Sequence, residues 1–118
     1  MRYLIPDCFW PEGKQDLYKS HEAISILNTE EHPAYCKMTL YFEDRPKIGG
    51  FVLEVPAERT IHFHTCDLKN EQREPIPQGV GYAVVIECDR PVAVQYTRVD
   101  TTQVRLALGM TMALQMDS

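Results

Sequence analysis

The sequence predicts an all-β domain, an antiparallel β-sandwich of jelly-roll type with about seven or eight strands. Three observations carry that expectation. Apolar residues recur with period two in several short stretches, Pro, Gly, Asn and Asp separate the stretches, and their spacing is that of half-buried strands joined by turns.

Glu22 to Asn28 is the first clear strand, and Glu30-Glu31-His32-Pro33 turns the chain into a second one at Tyr35 to Glu43. That second strand places Cys36, Met38, Leu40 and Phe42 on one face, with Tyr35, Lys37, Thr39 and Tyr41 on the other. Phe51, Leu53 and Val55 alternate with Val52 and Glu54 until Pro56, which lacks a ladder donor and marks a strand end or a sheet crossing. Glu58 to His64 follows, with Arg59, Ile61 and Phe63 alternating against Thr60, His62 and His64. Asp67 to Gly81 is rich in Pro and Gly, an irregular connection of the sort that borders a site. Tyr82 to Cys88 and Val92 to Val99 then read as a hairpin around Asp89-Arg90-Pro91. From Val104 to Met116 every even position is apolar and Gly109 weakens a helix, so the last segment is predicted as a strand.

At 118 residues and 44% hydrophobic content there is material for one core, and residues 1–118 are expected to form one domain. No apolar run approaches the roughly 18 to 20 residues that span a bilayer, and Met1 to Pro6 is too short for a signal peptide's apolar region. A cytoplasmic protein without direct membrane insertion is therefore expected. Cys8, Cys36, Cys66 and Cys88 are scattered without a C-x-x-C pair, which favours free thiols, with Cys36 and Cys88 packed as small hydrophobes. The net charge of -5 weighs against general nucleic-acid binding, where Lys and Arg neutralise phosphates.

The residues that could carry chemistry are few. His62, His64 and Cys66 share strand parity and offer nitrogen and sulfur ligands, but no fourth ligand accompanies them, so no metal is expected. His62 with Asp100, or His21 with Glu22, could form an acid-base pair, yet neither spacing supports it. There is no phosphate-cradling loop or nucleophile elbow either, and neither an enzyme nor a cofactor is expected. Ser20-His21-Glu22 at the entry to the first clear strand reads as a polar turn or as the wall of a cleft. Gln95, Thr97 and Arg98 interrupt an apolar strand, and Arg98 shares the parity of Val92, Val94 and Tyr96. It must be paired at the strand's end or reach into a partner.

The ordered series of these pieces resembles the sensory rhodopsin transducer family. The matching stretches are Ser20-His21-Glu22, Ile26-Leu27-Asn28, Thr39 to Phe42, Val55-Pro56-Ala57 with Arg59, Thr60 and His62, and Asp67-Leu68. Pro75-Ile76-Pro77 follows, then Val92, Val94-Gln95, Thr97-Arg98, Asp100 and Gln103. Tyr3-Leu4-Ile5-Pro6 looks like the family's Tyr-Ile-Pro segment, while the strand that precedes it in the family is absent or altered.

The resemblance implies a β-sandwich, a homotetramer, and a non-enzymatic module that binds a small molecule such as a sugar or relays a signal. Ser20, His21, Glu22, Asn28, Arg59, His62, Gln95, Thr97 and Arg98 are its implied pocket or interface positions. The alternative is an adaptor without a ligand, its partner being a membrane receptor or a transcriptional protein. The family's typical member has also been linked to DNA, which the acidic balance of this chain disfavours.

Overall fold

The computed structural model describes residues 1–11, 14–15, 18–19, 21–100 and 107–116. In chain order the strands are β1 (Arg2–Phe9), β2 (Lys14–Gln15), β3 (Tyr18–Lys19), β4 (His21–Asn28), β5 (Ala34–Tyr41) and β6 (Ile48–Val55). They continue with β7 (Arg59–His64), β8 (Gly81–Cys88), β9 (Ala93–Asp100), β10 (Ala107–Met112) and β11 (Leu114–Met116), with a 3-10 turn at Thr65–Asp67. Two antiparallel sheets form the sandwich, ordered β11-β1-β8-β5-β6 and β10-β9-β4-β7, while β2 and β3 pair only with each other. No helix among the described residues is long and apolar enough to cross a membrane.

Nine strands thus build the two sheets, against an expectation of seven or eight. The additions are β1, which lies between β11 and β8, and the division of the C-terminal segment into β10 and β11. Val104, in the predicted C-terminal strand, lies outside the described residues.

The alternation read from the sequence decides what is buried. Ala34, Cys36, Met38 and Leu40 of β5 are fully buried, as are Phe51, Leu53 and Val55 of β6, and Ile24 and Ile26 of β4 meet them from the other sheet. Each large side chain so removed from water contributes about 1.5–3 kcal/mol. Ile76, in the long connection before β8, is buried in the same core. Asn70 organises that connection: its Nδ2 donates to Gly49 O at 3.2 Å and to Glu74 Oε1 at 3.0 Å, while its Oδ1 accepts from the Gln72 and Glu74 amides.

Two sequence expectations are corrected. The stretch Asp89-Arg90-Pro91 does not close a hairpin, because β8 lies in the five-stranded sheet and β9 in the four-stranded one. It is a crossing between layers. Asp89 exchanges backbone and side-chain bonds with Tyr35, and the Val92 amide donates to the Tyr3 hydroxyl at 2.8 Å, so the segment is pinned across the sandwich instead of turning in one sheet. Glu30 to Pro33 and Pro56 mark crossings of the same kind, the latter as the missing proline donor anticipates.

The second correction concerns the thiols. Cys36 and Cys88 are directly opposed on β5 and β8, with Cα atoms 4.2 Å apart, and form a disulfide. Period-two alternation alone could not show it, since it places each cysteine on a buried face but says nothing about which residue stands opposite.

Candidate functional site

Strand alternation separates the predicted site residues onto different faces. On β4, Glu22, Ile24, Ile26 and Asn28 point into the sandwich, and His21, Ala23, Ser25 and Leu27 point out. Register carries this division across the sheet. His21 stands opposite Val99, Ala23 lies between Thr97 and His64, and Ser25 lies between Gln95 and His62. Arg98, by contrast, stands opposite Glu22 and shares the inner face with Tyr96 and Val94.

Glu22 is completely buried. Its Oε1 accepts from the Tyr82 hydroxyl and from Thr65 Oγ1 at 2.9 Å, and its Oε2 accepts from the Tyr96 hydroxyl. A carboxylate with no access to water needs such donors, because an unpaired buried charge is strongly unfavourable. Tyr96 extends the network: its oxygen accepts from the Phe9 amide at 3.0 Å. Burial, reinforced by the charge of Glu22, drives the phenols of Tyr82 and Tyr96 far above the ordinary tyrosine range. The Cys8 thiol is likewise pushed far up by burial and then by Glu22 and Asp7, against the opposing pull of Arg98, so it is not a ready nucleophile.

These shifts have a sign that can be measured. The folded state retains protons that the unfolded chain releases above about pH 8.5 for cysteine and about pH 10 for tyrosine. The stabilisation is therefore complete below that window and is lost as the pH rises through it, by up to about 1.4 kcal/mol per pH unit for each group. Urea unfolding from pH 8 to 11 should show a falling midpoint that steepens past pH 10. A flat profile would show that the three groups ionise as freely in the folded protein as in the unfolded chain.

Beside this network, β1 carries a bulge: Ile5 pairs with Val84 and Cys8 with Tyr82, so Pro6 and Asp7 together oppose a single residue. Two clefts open there. One of about 300 Å³ is lined by Asp7, Tyr96 and Arg98 with Gly109, Met110 and Thr111. The other, of about 680 Å³, is lined by Asp7, Tyr82 and the Tyr41 to Arg45 segment, together with Gly79 to Gly81 from the connection that the sequence marked as bordering a site.

The opposite end of the four-stranded sheet holds Asn28 and Arg59. The Nδ2 of Asn28 donates to the carbonyls of His32, Val55 and Pro56, and its Oδ1 accepts from the Glu30 amide at 3.0 Å, so its polar atoms bind the strand crossings together. Arg59 is exposed and donates to the Glu58 carbonyl at 3.0 Å. The Glu22–Arg98 row and the Asn28–Arg59 row are six positions apart along β4, roughly 20 Å of strand. The eight described residues among the nine named from the sequence do not line one pocket; Ser20 lies outside the described residues.

The outer face of the four-stranded sheet is a different kind of surface. From β10 to β7 its rows are Leu108–Val99–His21, Met110–Thr97–Ala23–His64, Met112–Gln95–Ser25–His62 and Ala93–Leu27–Thr60. Among the described residues this face carries no Asp, Glu, Lys or Arg, although a quarter of the chain is charged. Leu108, Met110 and Met112 are 60–65% exposed. The apolar alternation that marked this segment as a strand therefore faces outward rather than into the core. At the far corner, Ser25 Oγ lies 2.8 Å from His62 Nδ1, and the His21 and His64 rings lie 5.9 Å apart. His21 and Glu22 point to opposite faces, so they cannot form an acid-base pair. Among the described residues no group of three or more His, Cys, Asp or Glu is placed to hold a metal ion.

The sequence names Glu22 as a site position, at a polar turn or cleft wall where the first clear strand begins, but does not reveal Tyr82 and Thr65 as its partners. The shared parity of Glu22 with Ile24 and Ile26 was the available signal that it points inward.

An antiparallel two-sheet sandwich, with a hydroxyl-caged carboxylate inside one end, defines the structural class. The chain belongs to the Anabaena sensory rhodopsin transducer family, whose model matches residues 1–115. It is similar to the Anabaena sensory rhodopsin transducer itself, at 34% identity over 85% of this chain and 88% of that one, with a TM-score of 0.74. It is also similar to the crystal structure of Thermotoga maritima 1070, at 26% identity over 96% of this chain and 91% of that one, with a TM-score of 0.83. No curated protein matches the sequence.

Proposed function

We propose that this chain is a non-enzymatic, cytoplasmic signalling module that works as a homotetramer and passes its signal through protein contacts, with a membrane receptor as the source. The observation that carries this reading is the outer face of the four-stranded sheet, which among the described residues bears no Asp, Glu, Lys or Arg and exposes Leu108, Met110 and Met112. Depletion of charge together with exposed methionine is the composition of an interface core. Identical copies each carry a net charge of -5, and a face free of that charge lets them approach without mutual repulsion. The relative named as a sensory rhodopsin transducer supports the receptor as the kind of partner.

Light scattering after size exclusion at pH 8 tests the assembly. The wild-type protein should run as a tetramer, and Met110→Glu, which places a charge on the exposed β10 edge of the face, should weaken association by about a hundredfold while the circular dichroism spectrum stays unchanged. A monomeric wild type, or a Met110→Glu protein that assembles normally, would remove the reading.

A second reading is supported by the cleft at Arg98. A guanidinium beside Asp7 and the Tyr96 ring suits a hydroxyl-rich ligand, sugar acids above all. Thermal-shift screening against sugars and sugar acids should then find a stabilising compound whose effect disappears in Arg98→Ala. A shift that persists in that variant places the compound elsewhere.

A further inference from the structure

From Ala107 to Met116 the sequence has no Asp, Glu, Lys, Arg or Pro. This stretch forms β10, the last strand of the four-stranded sheet, and then β11, the last strand of the other. Among the described residues no strand pairs with the outer edge of β10. An open edge is a row of unpaired backbone donors and acceptors, and proteins guard it with charge, proline, a bulge or brevity. The other three sheet edges are guarded in this way. β7 carries Arg59, β6 carries Glu54 and shifts register against β5, and β11 is only three residues long. β10 has none of these devices, although it runs for six residues and pairs with β9 in unbroken register.

Alternation fixes which backbone groups line this edge. The Ala113 amide donates to the Val94 carbonyl at 3.0 Å, in the register that sets Met112 opposite Gln95. The odd-numbered residues of β10 therefore turn their amides and carbonyls toward β9, and Leu108, Met110 and Met112 turn theirs toward the open edge. The Met112 carbonyl accepts from Thr111 Oγ1 at 3.3 Å and keeps a second lone pair. The side chains of the same three residues stand out of the sheet, 60–65% exposed.

We infer that β10 pairs with β10 of a second copy of this chain, antiparallel and centred on Met110, so that two four-stranded sheets join into one of eight strands. The inference rests on the self-assembly proposed above and supplies what that assembly needs. A two-fold contact between identical faces closes a dimer, and a tetramer requires a second, different two-fold contact. The axis of an antiparallel edge pair runs perpendicular to the sheet, whereas that of a face-to-face pair lies in the sheet plane. The two contacts therefore combine into one closed tetramer. The edge is also complementary to itself. With Met110 opposite the partner's Met110, Leu108 meets the partner's Met112 and Met112 meets the partner's Leu108, so no like charges oppose one another across the junction. Each copy offers the amides and carbonyls of three residues, and the pair exchanges six N–H···O bonds. Copies that each carry a net charge of -5 meet here along a strand that bears none of it.

Amide hydrogen exchange of the full chain, resolved residue by residue by nuclear magnetic resonance and accompanied by light scattering, tests the inference. In the assembled protein Leu108, Met110 and Met112 should exchange as slowly as Gly109 and Thr111, about a hundredfold or more below the rate of an unpaired amide. An open edge gives alternation instead, with Gly109 and Thr111 protected by β9 and the other three exchanging freely. Met110→Pro removes an outward amide and leaves the ladder to β9 intact, so it should run as a dimer with an unchanged circular dichroism spectrum. Met110→Leu, which keeps that amide, should remain a tetramer. Free exchange at Leu108, Met110 and Met112 in an assembled wild type overturns the edge pairing, leaves the contact through the face standing, and assigns the edge to a strand of another protein or to solvent. A folded Met110→Pro that stays tetrameric overturns it as well, and if that variant does not fold, the exchange pattern of the wild type decides alone. A wild type that is monomeric removes the underlying assembly and this inference together.

Discussion

Glu22→Ala is expected to lower the free energy of unfolding by about 4 kcal/mol, read as a reduced urea midpoint at an unchanged m-value. The size follows from what the substitution strands. Three hydroxyls, those of Thr65, Tyr82 and Tyr96, converge on the one carboxylate, and all three residues are almost entirely buried. A buried donor left without its acceptor costs about 1–3 kcal/mol. The space left by the side chain is polar and enclosed, so collapse around it is poor. Tyr96→Phe should cost less, about 2 kcal/mol, because it removes the donor to Oε2 and leaves the Phe9 amide without its acceptor while keeping the ring packed. Ser25→Ala, three residues away on the outer face, should change the stability by less than about 0.5 kcal/mol. Equal effects at Glu22 and Ser25 would show that the carboxylate network contributes nothing particular to the fold.

Reduction of the Cys36–Cys88 disulfide is expected to cost about 3 kcal/mol, and Cys36→Ala/Cys88→Ala a similar amount. The bond joins residues separated by 52 positions, and closing a loop of that length removes about 4 kcal/mol of chain entropy from the unfolded state. The native-state contribution is smaller, since the two residues are already opposed in the β5–β8 ladder. Alkylation of the unfolded protein before and after reduction provides the direct check. Cys36 and Cys88 should be protected before reduction and modified afterwards, and modification of both without reductant would show that the bond does not form. The stability of the reduced protein then separates the cross-link from the packing of the two sulfur atoms.

How far the sequence could be read differs from element to element. In β5 and β6 every second residue is apolar, and one face of each strand is buried as that pattern requires. Pro56 was readable as a break between layers because proline cannot donate to a ladder. Asp89-Arg90-Pro91 looked equally like a tight turn, but a short polar connection between two strands has the same composition whether it closes a hairpin or crosses a sandwich. For the site, residue types were legible and their grouping was not. Gln95, Thr97 and Arg98 are consecutive or nearly so, yet alternation sends Gln95 and Thr97 to the outer face and Arg98 to the inner one. Asn28 and Arg59 lie at the far end of the same sheet.

By itself the sequence determined the fold class, the positions of most strands and the face each strand buries, because these follow from local periodicity and from the backbone limits of proline and glycine. The family was also within its reach, through an ordered series of short stretches. Only the tertiary structure decided which residues stand opposite one another. It joined Cys36 to Cys88, enclosed Glu22 among Thr65, Tyr82 and Tyr96, and gathered His21, His62 and His64 on one face of the four-stranded sheet. Pairing across strands that are tens of residues apart depends on sheet order and register, and period-two alternation constrains neither beyond the choice of face.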